Sequence, residues 1–224
     1  MSLRACVVVA ACTLSACARL PIEDGRKVGP LVQVKDSFTS CFLLEYAPKR
    51  AAFFDACWND EGQAVQKALE ANGLTSDAVD AVFLSHGHTD HLGGLGMLPQ
   101  ASVYALEAER DLIREGGNAV NVSLQDGDEV VLGDYIIHVY AVTGHTRGSA
   151  VYEVDGVLLM GDTVIAQKDG SLAPPAERYS DDPAENDASV RALVERLDEA
   201  GVAVEWVAPS HSGPVRGSKA LRAY

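Results

Sequence analysis

His86-Gly87-His88-Thr89-Asp90-His91 places four side chains able to ligate a metal within six residues. The stretch follows the apolar run Ala81-Val82-Phe83-Leu84, which reads as a buried strand. Gly93 and Gly94 come just after it, so the ligating side chains fall on a loop between that strand and the next element. A single histidine here would carry little weight, because satisfied core histidines are common. Three histidines and an aspartate this close are costly to bury unless a cation organises them. The alternative reading is a polar surface turn.

Three further positions extend the set. His145 lies in Thr143-Gly144-His145-Thr146-Arg147-Gly148-Ser149, after the apolar run 136–142. Asp162 lies in Met160-Gly161-Asp162-Thr163, after Val157-Leu158-Leu159. His211 lies in Pro209-Ser210-His211-Ser212-Gly213, after Val204-Glu205-Trp206-Val207. Each sits where a strand-like run ends in a Gly- or Pro-containing loop, a place where a rigid platform lets side chains from different loops converge. Five of the six histidines fall at such positions, and the sixth, His138 within Tyr135-Ile136-Ile137-His138-Val139-Tyr140, reads as an ordinary strand residue.

Taken together, Ser85-His86-Gly87-His88-Thr89-Asp90-His91-Leu92-Gly93-Gly94, Gly144-His145-Thr146, Gly161-Asp162-Thr163 and Ser210-His211-Ser212-Gly213 resemble the metallo-β-lactamase fold superfamily of metallohydrolases. The pieces occur in the family order. The resemblance implies an α/β fold, a four-layer αββα sandwich. It also implies a binuclear centre with His86, His88 and His145 on one ion, Asp90, His91 and His211 on the other, and Asp162 bridging. Imidazole and carboxylate suit zinc first, and also iron or manganese. Two divalent metal ions can supply a hydroxide at neutral pH and polarise a carbonyl or phosphoryl oxygen, so no serine or cysteine nucleophile is needed. Asp90 is then the catalytic candidate, able to take up a proton during attack.

Within the superfamily, the resemblance excludes more branches than it selects. True β-lactamases resemble this pattern but carry Cys or Ser where this chain has Asp162. Flavodiiron proteins typically have Glu at the place of His88. The tyrosine that lactonases often carry three residues after the bridging Asp is replaced here by Ile165, and 166–178 lacks the Gly-Cys-Gly-Arg stretch of glyoxalase II and persulfide dioxygenases. The resemblance also points to Asp55, at the end of Ala51-Ala52-Phe53-Phe54, as a carboxylate that orients ligands. The family's Asp-Thr-Gly turn is here Asp55-Ala56-Cys57. Phe38 and Trp58 are each read as either core or substrate mouth, with the core the preferred place for Phe38.

The N-terminus carries a different message. Met1–Ala16 has one basic residue, Arg4, then the apolar run Ala5–Leu14, too short to span a bilayer as a mature helix. It reads as a secretory signal. Its ending, Leu14-Ser15-Ala16-Cys17, resembles a bacterial lipobox, which implies cleavage before Cys17 and a lipid on its sulfur. The domain plan is therefore 1–16 signal, 17–30 tether and 31–224 a single metallo-β-lactamase-like domain. The implied address is the cell envelope, on the outer membrane facing the periplasm, with the N-terminal lipid as the only membrane contact. Cys41 and Cys57 remain; they flank the strand-like runs 42–46 and 51–54 and are either a disulfide or two buried thiols.

The chain holds 18 Lys and Arg against 32 Asp and Glu, a net charge of −14. Losing the signal removes Arg4 and no acid. Such a surface disfavours nucleic acid and anionic lipid as partners and leaves a small molecule as the expected one; oligomeric state is open. Strands are expected at 31–34, 41–46, 51–55, 80–84, 102–105, 130–132, 135–142, 150–154, 157–160 and 203–207, with helices at 61–71, 107–115 and 183–200. The last has Asp182 as cap, Pro183 in its first turn, Glu185 completing a capping box, and an apolar stripe of Val190, Leu193, Val194 and Leu197 ended by Gly201. The expected function is hydrolysis of a small ester, thioester or lactone. The rival readings are a metal-binding module without turnover and a mononuclear iron dioxygenase of sulfur compounds. Specificity is expected from loops 36–40, 57–62 and 166–182, which carry no cluster of Arg or Lys; Arg147 and Arg178 are isolated candidates for substrate contact or plain surface charges.

Overall fold

The computed structural model describes residues 19–224, so the expected signal segment 1–16 and Cys17 lie outside the described residues. Seven strands build the first sheet in chain order: β1 (Lys27–Val28), β2 (Leu31–Asp36), β3 (Thr39–Ala47), β4 (Arg50–Phe54), β5 (Val79–Phe83), β6 (Ser102–Leu106) and β7 (Val122–Leu124). Strands β1 to β4 pair antiparallel, and β4 to β7 pair parallel. Helix α1 (Gln63–Ala71) connects β4 to β5, and α2 (Arg110–Glu115) follows β6. The second sheet contains β8 (Glu129–Leu132), β9 (Tyr135–Ala141), β10 (Ala150–Val154) and β11 (Val157–Gly161). After a small hairpin of β12 (Ile165–Ala166) and β13 (Leu172–Ala173), it gains β14 (Trp206–Pro209) and β15 (Val215–Arg216). Its order is β15-β14-β11-β10-β9-β8. Helix α3 (Pro183–Glu199) joins the hairpin to β14, and α4 (Lys219–Arg222) closes the chain.

The period of two along each strand sorts side chains into three cores and so makes the layers. On β4, Ala52 and Phe54 face the second sheet while Phe53 faces outward to α1. On β10 and β11, Tyr152, Val154, Val157 and Leu159 face the first sheet while Val151, Leu158 and Met160 face α3. Phe54, Phe83 and Tyr152 pack ring against ring between the sheets, with centroids 5.1–5.7 Å apart. Helix α1 covers the first sheet with Val65 and Leu69, and α3 covers the second with Val190, Leu193 and Leu197. Burying each such side chain is worth about 1.5–3 kcal/mol. The result is the expected αββα sandwich. Among the described residues no helix is long and apolar enough to cross a membrane.

Local signals mostly act as read. Asp182 caps α3 by accepting hydrogen bonds from the backbone N–H groups of Ala184 and Glu185, at 3.1 and 3.0 Å. Glu185 does not return the bond to complete a capping box; it accepts from the Thr143 hydroxyl at 2.7 Å. The segment 107–115 is a single 3-10 turn followed by α2, not one continuous helix. The last expected strand lies at 206–209 instead of 203–207, because its register is set by parallel pairing with β11, a contact far away in sequence. Residues 19–30 do not hang free as a tether. Strand β1 pairs with β2, Val28 is fully buried, and Arg19 bridges to Gln167. A disulfide joins Cys41 to Cys57, tying β3 to the turn beyond β4.

Candidate metal centre

Parallel strands deliver their C-terminal ends to one edge of the sandwich. Asp55 follows β4, Ser85 to His91 follow β5, and Glu107 to Glu109 follow β6. From the second sheet, His145 sits in the β9–β10 turn, Asp162 follows β11 and His211 follows β14. All seven expected ligands meet at this edge. His86, His88, His145 and Asp162 form one group, and Asp90, His91, Asp162 and His211 form another. Within each group the ligand atoms lie within 4.8 Å of one another, and Asp162 belongs to both. Gly161 makes this possible. It has φ +53°, and a Cβ there would meet Ser85 at 2.8 Å, so only glycine lets β11 turn Asp162 towards the histidines.

The donor set fits metal ions. His86 Nε2, His88 Nδ1 and His145 Nε2 converge at 3.0, 3.1 and 3.2 Å. The opposite nitrogens of three rings are tied to groups outside the cluster. His86 Nδ1 is 3.0 Å from the Ser85 hydroxyl, which itself donates to Asp55 Oδ2 at 2.9 Å. His91 Nδ1 donates to Asp55 Oδ2 at 2.8 Å, and His211 Nδ1 donates to the Phe38 carbonyl at 3.0 Å. With Nδ1 of His86, His91 and His211 hydrogen-bonded outward, Nε2 of each ring is the atom turned inward, the arrangement a cation requires once that nitrogen carries no proton. His91 Nε2 and Asp162 Oδ1 are buried and face each other at 3.3 Å, and neither makes a hydrogen bond. Buried polar atoms are costly unless something satisfies them.

Electrostatics differ across the cluster. Burial, reinforced by neighbouring His91, pushes His86 well below the usual imidazole range. Burial also lowers His145, to about 4. Both are neutral ligands at pH 7. Burial opposes charge on His211 too, but hydrogen bonds to Asp162 and Asp90 win and raise it to about 10. His91 is likewise raised against burial by Asp55 and Asp162. Asp162 in turn, despite burial, is held well below the carboxylate range by His91 and His211.

Asp55 supports the second group from behind. Its Oδ1 accepts the Ser85 N–H at 2.7 Å, and its Oδ2 holds His91. The reading of the sequence did not single out Glu109, which plays the matching part for the first group. Glu109 is 1% exposed. Its Oε1 accepts the Gly87 N–H at 2.8 Å; its Oε2 accepts the Gly148 N–H at 2.8 Å and the Thr146 hydroxyl at 3.0 Å. One carboxylate thus clamps the His86–His88 loop to the His145 loop. The approach is so close that a Cβ on Gly148 would lie 2.6 Å from Oε2. Glu107, Asp111 and Glu115 surround it in sequence and are exposed, so nothing local distinguishes it.

A cavity of about 790 Å³ opens over the metal-ligating groups. Leu112, Ile165 and Pro175 supply apolar wall, while Arg19, Glu115, Arg178 and Asp181 supply charge. Phe38, Trp58 and Tyr179 also line it. The core was the preferred place for Phe38. It is instead 49% exposed and stacks on His211, with centroids 5.6 Å apart and planes within 11°. Arg178 lines the cavity and stacks on Tyr179, with its guanidinium 4.5 Å from the ring centroid; Arg147 is an exposed charge outside the lining. His138 faces Glu129 and Glu153 on the second sheet, outside both metal-ligating groups.

Comparison with known proteins places these features in context. The family model described as the metallo-beta-lactamase superfamily matches residues 34–211. A hydroxyacylglutathione hydrolase of Anaeromyxobacter dehalogenans is 36% identical over 183 residues, covering 79% of this chain and 61% of that protein. One from Photobacterium profundum is 34% identical over 128 residues, covering 54% and 47%. The chain spans about half the length of the curated relatives it matches. A solved B3 metallo-beta-lactamase with an active-site glutamic acid superposes with a TM-score of 0.67 at 17% identity, covering 92% of this chain and 86% of that one.

Proposed function

The chain belongs to the metallo-beta-lactamase superfamily, and from that premise we propose that it is a metal-dependent hydrolase of small carboxylic esters, thioesters or lactones, with thioesters first. The observation that carries this is the pair of ligand groups sharing Asp162. His86, His88 and His145 would hold one divalent ion and Asp90, His91 and His211 the other, zinc being the best match to imidazole and carboxylate. When bound, two such ions supply hydroxide at neutral pH and polarise a carbonyl oxygen.

The chain's own residues do the rest. Asp55 and Glu109 hold the ligating loops in register. Asp90 borders the cavity, next to His211, and is placed to take up the proton released on attack. Leu112, Ile165 and Pro175 receive the apolar part of the substrate. Thioesters come first because hydroxyacylglutathione hydrolase, the name of the relatives above, denotes cleavage of a thioester. The outer cavity carries two arginines opposed by two acids, with no basic cluster to clamp a phosphate. The net charge of −14 works against a polyanionic substrate.

The test is metal analysis of the purified protein beside an ester, thioester, lactone and phosphodiester panel at equal metal loading. Two ions per chain and fastest turnover of a thioester are expected. Phosphodiesters turned over faster than all the carbonyl substrates would reject the substrate class. As to location, we propose that Cys17 is lipid-modified and holds the protein on a bacterial envelope membrane, facing the periplasm. Cys17→Ser should leave the protein unprocessed or release it from membranes; unchanged fractionation of this variant would reject the anchor.

A further inference from the structure

We propose that the mouth of the cavity rests against the membrane surface, held there by the short link from Cys17 to Arg19. This rests on the lipid-anchor reading above. The structural part is independent of it. Arg19 is part of the cavity wall, and Leu20 fixes it there. Arg19 bridges to Gln167, the Leu20 N–H donates to the Ala166 carbonyl at 2.9 Å, and the Leu20 carbonyl accepts the Gly213 N–H at 2.8 Å. Ala166 follows Asp162 by four residues and Gly213 follows His211 by two. The start of the described chain is thereby stitched to two ligand-bearing loops, and Arg19 lines the cavity itself.

Chain geometry then limits where the anchor can be. A residue spans at most about 3.6 Å, so Cys17 lies within roughly 7 Å of Arg19, measured between Cα atoms. A diacylglycerol on Cys17 cannot enter the bilayer without bringing the mouth to the headgroups. The mouth is built for that position. Among the described residues five large hydrophobic side chains are exposed, and three of them, Phe38 at 49%, Trp58 at 44% and Tyr179 at 51%, line this cavity. Amphipathic aromatic rings and arginines are the residues that settle at a membrane interface. The rim is also the right charge. Arg19 and Arg178 balance Glu115 and Asp181 there, on a chain whose net charge is −14. This neutral mouth can approach anionic headgroups that the remaining surface repels.

The experiment uses the full-length acylated protein in vesicles of phosphatidylethanolamine and phosphatidylglycerol, with or without bromine on the acyl chains. The chain has two tryptophans. Trp206→Phe leaves Trp58 at the rim; Trp58→Phe leaves Trp206 at the start of β14, the end away from His211. Vesicles without bromine are expected to blue-shift Trp58 and brominated ones to quench it, with Trp206 unchanged in both. Inserting about twenty Gly/Ser residues between Ala18 and Arg19, a flexible span of roughly 25 Å, should abolish most of the quenching while the protein stays on the vesicles. Unquenched Trp58 in chains that carry the lipid would overturn the proposal. So would quenching that the insertion leaves untouched. Mass spectrometry showing Cys17 unmodified would overturn the anchor reading itself, a failure distinct from the other two.

Discussion

His86 and His145 meet one carboxylate, Asp162, at 3.9 and 3.6 Å, whereas His91 and His211 meet Asp162 and Asp90 at 2.9–3.8 Å, with Asp55 a further 2.8 Å behind His91. The same ring type therefore works under opposite electrostatics on the two sides of Asp162. On one side burial dominates and the imidazoles stay neutral. On the other, carboxylates dominate and the imidazoles attract positive charge. The first group is ready to bind an ion as it stands, and the second must surrender protons to do so. The supports differ in the same sense: Glu109 grips backbone N–H groups of the first group's loops, while Asp55 grips a ligand ring directly.

The harshest break of this comparison is Asp162→Ala, which removes the carboxylate both groups share. Loss of both ions and fall of turnover to background are expected, read by metal analysis and the hydrolysis panel. Retention of full activity would remove Asp162 from the centre. Next is Asp55→Asn, which frees the His91 and Ser85 contacts. Metal affinity of the second group should drop about 100-fold, the upper range for a group that orients ligands. Glu109→Gln should be milder, about tenfold. An amide can keep only part of the three hydrogen bonds, and its own N–H faces backbone donors. Its loss should fall on the first ion. Competition titration with a metal-sensitive dye, ion by ion, checks both; equal losses at both ions in each variant would erase the distinction drawn here.

A pH titration sharpens the contrast. His211 has its folded pKa raised from 6.5 to about 10. In the metal-free protein the stability its charged form contributes is fully present below pH 6.5 and is lost as pH rises through about 10. An ion entering the second group displaces that proton. Its apparent affinity should climb by about tenfold per pH unit per proton displaced across that window. The first group, with His145 lowered to about 4, should show little change from pH 6.5 upward. Calorimetry in buffers of different ionisation enthalpy counts the protons released; equal release from both groups would refute the asymmetry. The smallest effect belongs to His138→Ala. His138 lies outside both groups, half-exposed between Glu129 and Glu153, so metal content and turnover should match the parent.

Most strands were legible because apolar runs and their alternation reflect which faces are buried, and burial is written locally in residue type. The short strands β1, β7, β12, β13 and β15 escaped, at two or three residues each, because pairing with a neighbour defines them and not their own pattern. The ligand set was legible for a related reason. His and Asp clustered at strand ends are chemically unusual wherever they occur. Phe38 was misplaced because an aromatic residue beside a strand reads the same whether it caps a core or a cavity; only its stacking on His211 decides.

By itself, the sequence determined the main strand runs and the seven candidate side chains, since spacing, residue type and strand ends are local quantities, while the four layers and Asp55 came from its resemblance to the superfamily. Only the tertiary structure decided that Glu109 clamps two ligand loops, that Cys41 and Cys57 pair, that β14 starts at Trp206, and that Arg19 walls the cavity. Each of these depends on where a distant segment lies in space. A buried carboxylate differs from an exposed one only through backbone donors brought from elsewhere in the chain, as Gly148 is brought to Glu109 across 39 residues.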